Sequence, residues 1–90
     1  MQSRRTVRYI GHVQGVGFRA TVERIALRHA VKGYVRNLPD GGVELVLEGL
    51  AEPINAVLSE VQERMEQYIR DIKSDESPAT GEFTEFSIRY

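Results

Sequence analysis

VRYIGHVQGVGFRATVERIAL, residues 7–27, changes its apolar spacing halfway along. From Thr6 to Val13, β-branched and aromatic residues dominate, which predicts a strand. Gln14 to Gly17 holds two glycines separated by a single residue and reads as a turn. From Phe18 the positions Phe18, Val22, Ile25, Ala26 and Ala30 recur at helical intervals, so a helix is expected over about Phe18–His29, ending before Gly33.

Gly33 to Leu38 reads as a second, short strand. In Leu38-Pro39-Asp40-Gly41-Gly42 the proline presets φ, the aspartate bonds locally and a glycine accepts positive φ, so a turn is expected. Val43, Leu45 and Leu47 then alternate with Glu44, Val46 and Glu48, a third strand returning as a hairpin. Pro53 suits a first helical turn, and Ile54, Val57, Leu58, Val61 and Met65 follow at helical spacing. Tyr68 to Lys73 reads as a strand, Ser74 to Glu82 as a loop, and Phe83 to Tyr90 as a last strand with Phe86, Ile88 and Tyr90 on one face. The order is β-α-β-β-α-β plus a short C-terminal strand. It predicts an α+β fold, the ferredoxin-like α/β sandwich: a mostly antiparallel sheet with two helices on one face, as a single domain over residues 1–90.

The composition narrows the function. With 41% apolar and 28% charged residues the chain has a globular make-up. No apolar run approaches the ~20 residues that cross a bilayer, so no membrane association is expected. Met1 to Arg5 leads straight into strand-like sequence without an export signal, which predicts a cytoplasmic protein, expected as a monomer. The sequence contains no cysteine, which excludes disulfides, thiolate catalysis and cysteine-ligated metals. A net charge of −1 argues against a nucleic-acid partner.

A strand running through a glycine loop into a helix N-terminus suits an anion. The first helical N–H groups lack internal partners, the helix dipole adds partial positive charge, and glycines let the backbone curl around one point. Arg19, in the first helical turn, adds a planar fork that matches two phosphate oxygens. A cation there opposes the dipole unless an anion lies between them. The loop lacks the spacing and the Lys-Ser/Thr pair of a P-loop. Gly15-Val16-Gly17-Phe18-Arg19-Ala20 matches the dinucleotide pattern G-x-G-x-x-A, but Arg36 and Asn37 stand where that pattern needs an acid. Asn37, near the rim of the same sheet, is a candidate neighbour whose amide can hold a water. His12 reads as an exposed strand residue and His29 as a cation near a helix end. No His-Asp set supports a serine nucleophile, and no metal site is expected.

Gly11-His12-Val13-Gln14-Gly15-Val16-Gly17-Phe18-Arg19 matches the acylphosphatase signature G-x-V-Q-G-V-x-F-R, and Gly33-Tyr34-Val35-Arg36-Asn37 matches its second signature, G-[FYW]-V-x-N. The ending Phe86 to Tyr90 is similar to the family's terminal strand. The chain thus resembles an acylphosphatase over essentially its whole length. The resemblance implies hydrolysis of small acyl phosphates without metal or cofactor. It implies phosphate binding by Arg19 and the backbone amides of Gln14, Gly15, Val16, Gly17, Phe18 and Arg19, and positioning of water by Asn37. Many family members carry Gly-Pro after the second helix; residues 63–75 contain neither, so the limits of helix and strand stay open there. The alternatives are a non-catalytic module that holds a phosphate-bearing ligand, and an RNA-binding sandwich of the same topology.

Overall fold

The computed structural model describes all residues from Met1 to Tyr90. Its elements are β1 (Ser3–Gly11), α1 (Phe18–Ala26), β2 (Val31–Asn37), β3 (Val43–Gly49), α2 (Ala51–Met65), a 3₁₀ turn (Glu66–Tyr68), β4 (Ile69–Pro78) and β5 (Phe86–Arg89). The five strands form one sheet in the order β4-β1-β3-β2-β5. Every pairing is antiparallel except that of β2 with β5. The expected ferredoxin-like α+β sandwich is therefore the observed one, with β5 added at one edge.

Alternation decides which face is covered. Val7, Tyr9, Val35, Leu45 and Leu47 point to one side and are buried. They meet Phe18, Val22, Ile25 and Ala26 of α1 and Ile54, Val57, Val61 and Met65 of α2. The resulting cluster holds 17 buried residues, whose larger aliphatic side chains each stabilise by about 1.5–3 kcal/mol relative to exposure. Surface ion pairs contribute only about 0–1 kcal/mol each, so this face carries the fold.

Several boundaries differ from the sequence reading, β2 among them, which is Val31–Asn37 rather than 33–38. β1 is Ser3–Gly11 rather than 6–13, because a bulge between Ile10 and Gly11 ends its ladder and leaves His12 exposed in a bend. α1 stops at Ala26 rather than His29. There the N–H groups of Arg28 and His29 bond back only three residues, to Ile25 and Ala26, tightening the chain into a turn before β2. Ser74 to Pro78, expected as loop, extends β4, pairing with Val7 to Ser3 of β1. Its polar sequence hides this, since an edge strand with an exposed face needs no apolar alternation. The last strand begins at Phe86 rather than Phe83.

Residues 79–85 must carry the chain from the β4 edge to the β5 edge, and they do so across the face that the helices leave open. Glu48 of β3 anchors this strap. It is only 4% exposed and accepts bonds from Arg4 Nε (2.7 Å), Thr80 N–H (3.0 Å), Thr80 Oγ1–H (2.9 Å) and Gly81 N–H (3.0 Å). Burial works to raise the Glu48 pKa, but these donors outweigh it and hold the carboxyl down at about 2. Phe83 completes the strap by packing edge-on against Tyr34, with ring centroids 5.8 Å apart.

Gly33 lies in β2 with φ 142°, and a Cβ there would sit 1.9 Å from the Val46 carbonyl oxygen. Gly33→Ala is expected to cost more than about 2 kcal/mol in urea unfolding. The Glu48 carboxyl has a lower pKa folded than the ordinary value of 4.5, so its contribution to stability is complete above that pH. It is lost as pH falls from 4.5 towards 2. Denaturation midpoints measured across that range should fall steeply, and more gently in Glu48→Gln.

Candidate active site

Residues 12–17 link the end of β1 to the start of α1. Val13 is fully buried, Phe18 packs its ring 5.0 Å from that of Tyr9, and Val16 rests against the core. These three apolar anchors fix the loop's course. Between them Gly15 and Gly17 take φ values of 79° and 76°, a left-handed conformation that glycine adopts without steric cost. Nothing lies within 4 Å of a Cβ built at either position, so backbone conformation rather than crowding selects glycine.

No backbone N–H from Gln14 to Ala20 has an acceptor within the protein. The first to bond is Thr21 N–H, to the Gly17 carbonyl at 3.0 Å. Gly17 offers α1 no side-chain cap, and the first turn carries no acidic residue. Unpaired donors and the positive end of the helix dipole thus converge on one spot.

Gln14 uses its side chain differently. Its Nε2 donates to the carbonyls of Leu38 and Gly42, both at 2.8 Å, tying the loop to the turn between β2 and β3. This tie matters because β3 lies between β1 and β2 in the sheet. Asn37, the last residue of β2, faces the helix side, lines the cleft beside Gly15, Gly17 and Arg19, and makes no side-chain hydrogen bond within the chain. Arg36 points to the other face and, though exposed, pairs with Glu44 at 2.8 Å.

The cleft measures about 180 Å³. Arg19 has no carboxylate at ion-pair distance, and its guanidinium lies over the Tyr90 ring, 4.8 Å from the centroid. Phe18, Ala20, Ile88 and Tyr90 add apolar walls. The sequence reading named Arg19, Asn37, Gly15, Gly17 and Phe18, and all five line the cleft. Gln14 and Val16 do not, so any contact of theirs with a bound anion runs through backbone N–H groups. Ile88 and Tyr90 were missed as site residues. Their alternation with Phe86 was visible, but the parallel register that sets Ile88 beside Val35 was not.

The arrangement can grip a compact anion with N–H groups and a guanidinium, and can orient a neutral polar molecule with a carboxamide. The sequence pattern of one family, Acylphosphatase, matches residues 5–88. The chain is similar to an acylphosphatase of Methylococcus capsulatus, 44% identical over 79 residues, covering 87% of this chain and 86% of that protein. One from Syntrophus aciditrophicus is 43% identical over 81 residues, covering 89% of this chain and 84% of that protein. The crystal structure of acylphosphatase from Bacillus subtilis superposes with a TM-score of 0.84 at 32% identity, covering 100% of both chains. With both signatures folded around one cleft, the chain belongs to the acylphosphatase family, hydrolases acting on acid anhydrides.

Proposed function

We propose that the chain hydrolyses small acyl phosphates at this cleft, with Arg19 and the backbone N–H groups of Gln14 to Arg19 binding the phosphoryl group and Asn37 positioning the attacking water. The observation that carries the reading is the convergence of unpaired N–H groups, an arginine without a carboxylate partner and an unbonded carboxamide on a single cleft.

The chemistry asks little more of the protein. The water oxygen attacks phosphorus, the bridging P–O bond breaks, and its electron pair leaves on the carboxylate. The water's proton passes to solvent. A carboxylate, with a conjugate-acid pKa of roughly 4, departs without a general acid. The loose transition state of phosphoryl transfer needs position and charge stabilisation, which fixed donors supply without reorganising. The site's side chains include no carboxylate or imidazole, the usual protein ligands of a divalent cation, which supports a metal-independent reaction. The reading extends to a cytoplasmic monomer. Lack of cysteine supports the compartment, and charged residues along β4, including Asp71, Lys73 and Asp75, disfavour edge-to-edge pairing.

The test is cleavage of benzoyl phosphate, followed by absorbance with EDTA present. Arg19→Gln is expected to lower kcat/KM by roughly a hundredfold or more, the scale of losing one preorganised donor. Asn37→Ala should lower kcat by a similar factor with KM little changed, because it acts on the water. Equal rates in all three proteins would dismiss the site. A folded parent that binds phosphate without cleavage would make it a binding module. Gln14→Ala removes the tie between loop and turn. We expect kcat/KM to fall about tenfold and stability by about 1–2 kcal/mol, read from kinetics and urea unfolding of the same preparation.

A further inference from the structure

A second cleft, of about 320 Å³, opens beside the same β2–β3 turn and holds charges that the reaction does not use. Arg8, Arg70 and Lys73 line it, with Gly41 and Gly42 of the turn at its edge. Arg8 and Lys73 stand directly opposite one another on β1 and β4. Like charges so placed destabilise a sheet. None of the three cations has a carboxylate at ion-pair distance.

The acids nearby are turned to other work. Asp40, in the cleft itself, accepts the Gly42 N–H at 2.9 Å. Asp71 accepts the Ile72 N–H at 2.9 Å. Glu44, opposite Arg8 on β3, takes Arg36 Nε at 2.8 Å and the Tyr34 hydroxyl at 2.9 Å. With 13 acidic residues in the chain, a lack of acids does not explain three cations left together. Arg8 and Lys73 also lie on the face of the sheet away from the helices, whereas Asn37 and α1 lie on the other, so they do not serve the catalytic cleft.

We propose that this cleft is a second anion site, taking a small polyvalent anion of the phosphate type, such as a triphosphate group, against Arg8, Arg70 and Lys73. Three cations around one opening match several charged oxygens rather than one carboxylate, and guanidinium groups bind such oxygens in pairs. The occupant would adjoin the turn that Gln14 holds from the opposite side.

The probe is inorganic tripolyphosphate, titrated into the ¹⁵N-labelled full chain and into the double variant Arg8→Gln/Lys73→Gln. Saturable shifts of the Gly41, Gly42, Arg70 and Lys73 amides are expected in the parent. In the double variant their midpoint should rise at least tenfold, while the amides of Gly15 to Ala20 titrate as before. Benzoyl phosphate turnover without tripolyphosphate should be unchanged. The double variant's melting temperature without the anion should equal or exceed the parent's, because the like-charge opposition is gone. An unchanged midpoint would overturn the proposal. So would equal shifts around Arg24, Arg28 and Arg64, three cations that line a separate cleft beside the helices, which would mark unspecific attraction. A lower melting temperature would assign the two cations a structural role and overturn it too.

Discussion

The carboxamide of Gln14 donates both its protons to carbonyls of the β2–β3 turn, and the site depends on that pair of bonds. The loop after β1 and the end of β2 belong to strands that never touch, because β3 runs between them. The sheet alone would leave Asn37 and the loop a strand apart at its rim. A long, polar, partly buried side chain spans the gap and adds a second donor to two carbonyls that already accept the N–H groups of Gly41 and Leu38. Val13 and Phe18, both buried, keep Gln14 from swinging away. The loop can then leave its own N–H groups unpaired, since other residues hold its shape.

The second constraint lies on the opposite face. A β-α-β-β-α-β chain ends on an edge strand, and a fifth strand on the far edge requires a crossing of the sheet. The strap at 79–85 makes that crossing. It needs a partner on the exposed face, and buried Glu48 provides one with bonds to two backbone N–H groups, a hydroxyl and an arginine. Removing a single partner from a buried charge costs more than forming the pair gains. The cluster therefore acts as one unit. The crossing brings Ile88 and Tyr90 to the cleft and sets an aromatic ring beneath Arg19.

The electrostatics of the site follow from what the sequence withholds. α1 starts at a glycine with no capping side chain and no acid in its first turn, and Arg19 stands where the dipole disfavours a cation. Each choice costs a little stability in the free protein, and on the proposed function a bound phosphoryl group would relieve all of them together. Preorganised donors of this kind stabilise a transition state because the protein need not rearrange as charge shifts.

Much of this was legible in the residues. The change from alternation to helical spacing across residues 7–27, the Pro39–Gly42 turn and the stripe from Ile54 to Met65 set the element order, because periodicity records which side of each element is buried. Arg19 and the glycines pointed to the proposed anion site, since few other needs place those residues at a helix start. Tertiary structure decided the rest. Ser74 to Pro78 is strand only because β1 offers it a ladder, and its own side chains carry no sign of that. Gln14 was legible only for its backbone amide, and the work of its side chain depends on the turn it holds at 2.8 Å. Glu48 read as the polar half of an alternating strand and is buried by a strap that arrives from 32 residues further along the chain. Sequence patterns report a residue's burial relative to its own element. Contacts between distant elements depend on how the sheet is ordered, and that order exists only once the chain has folded.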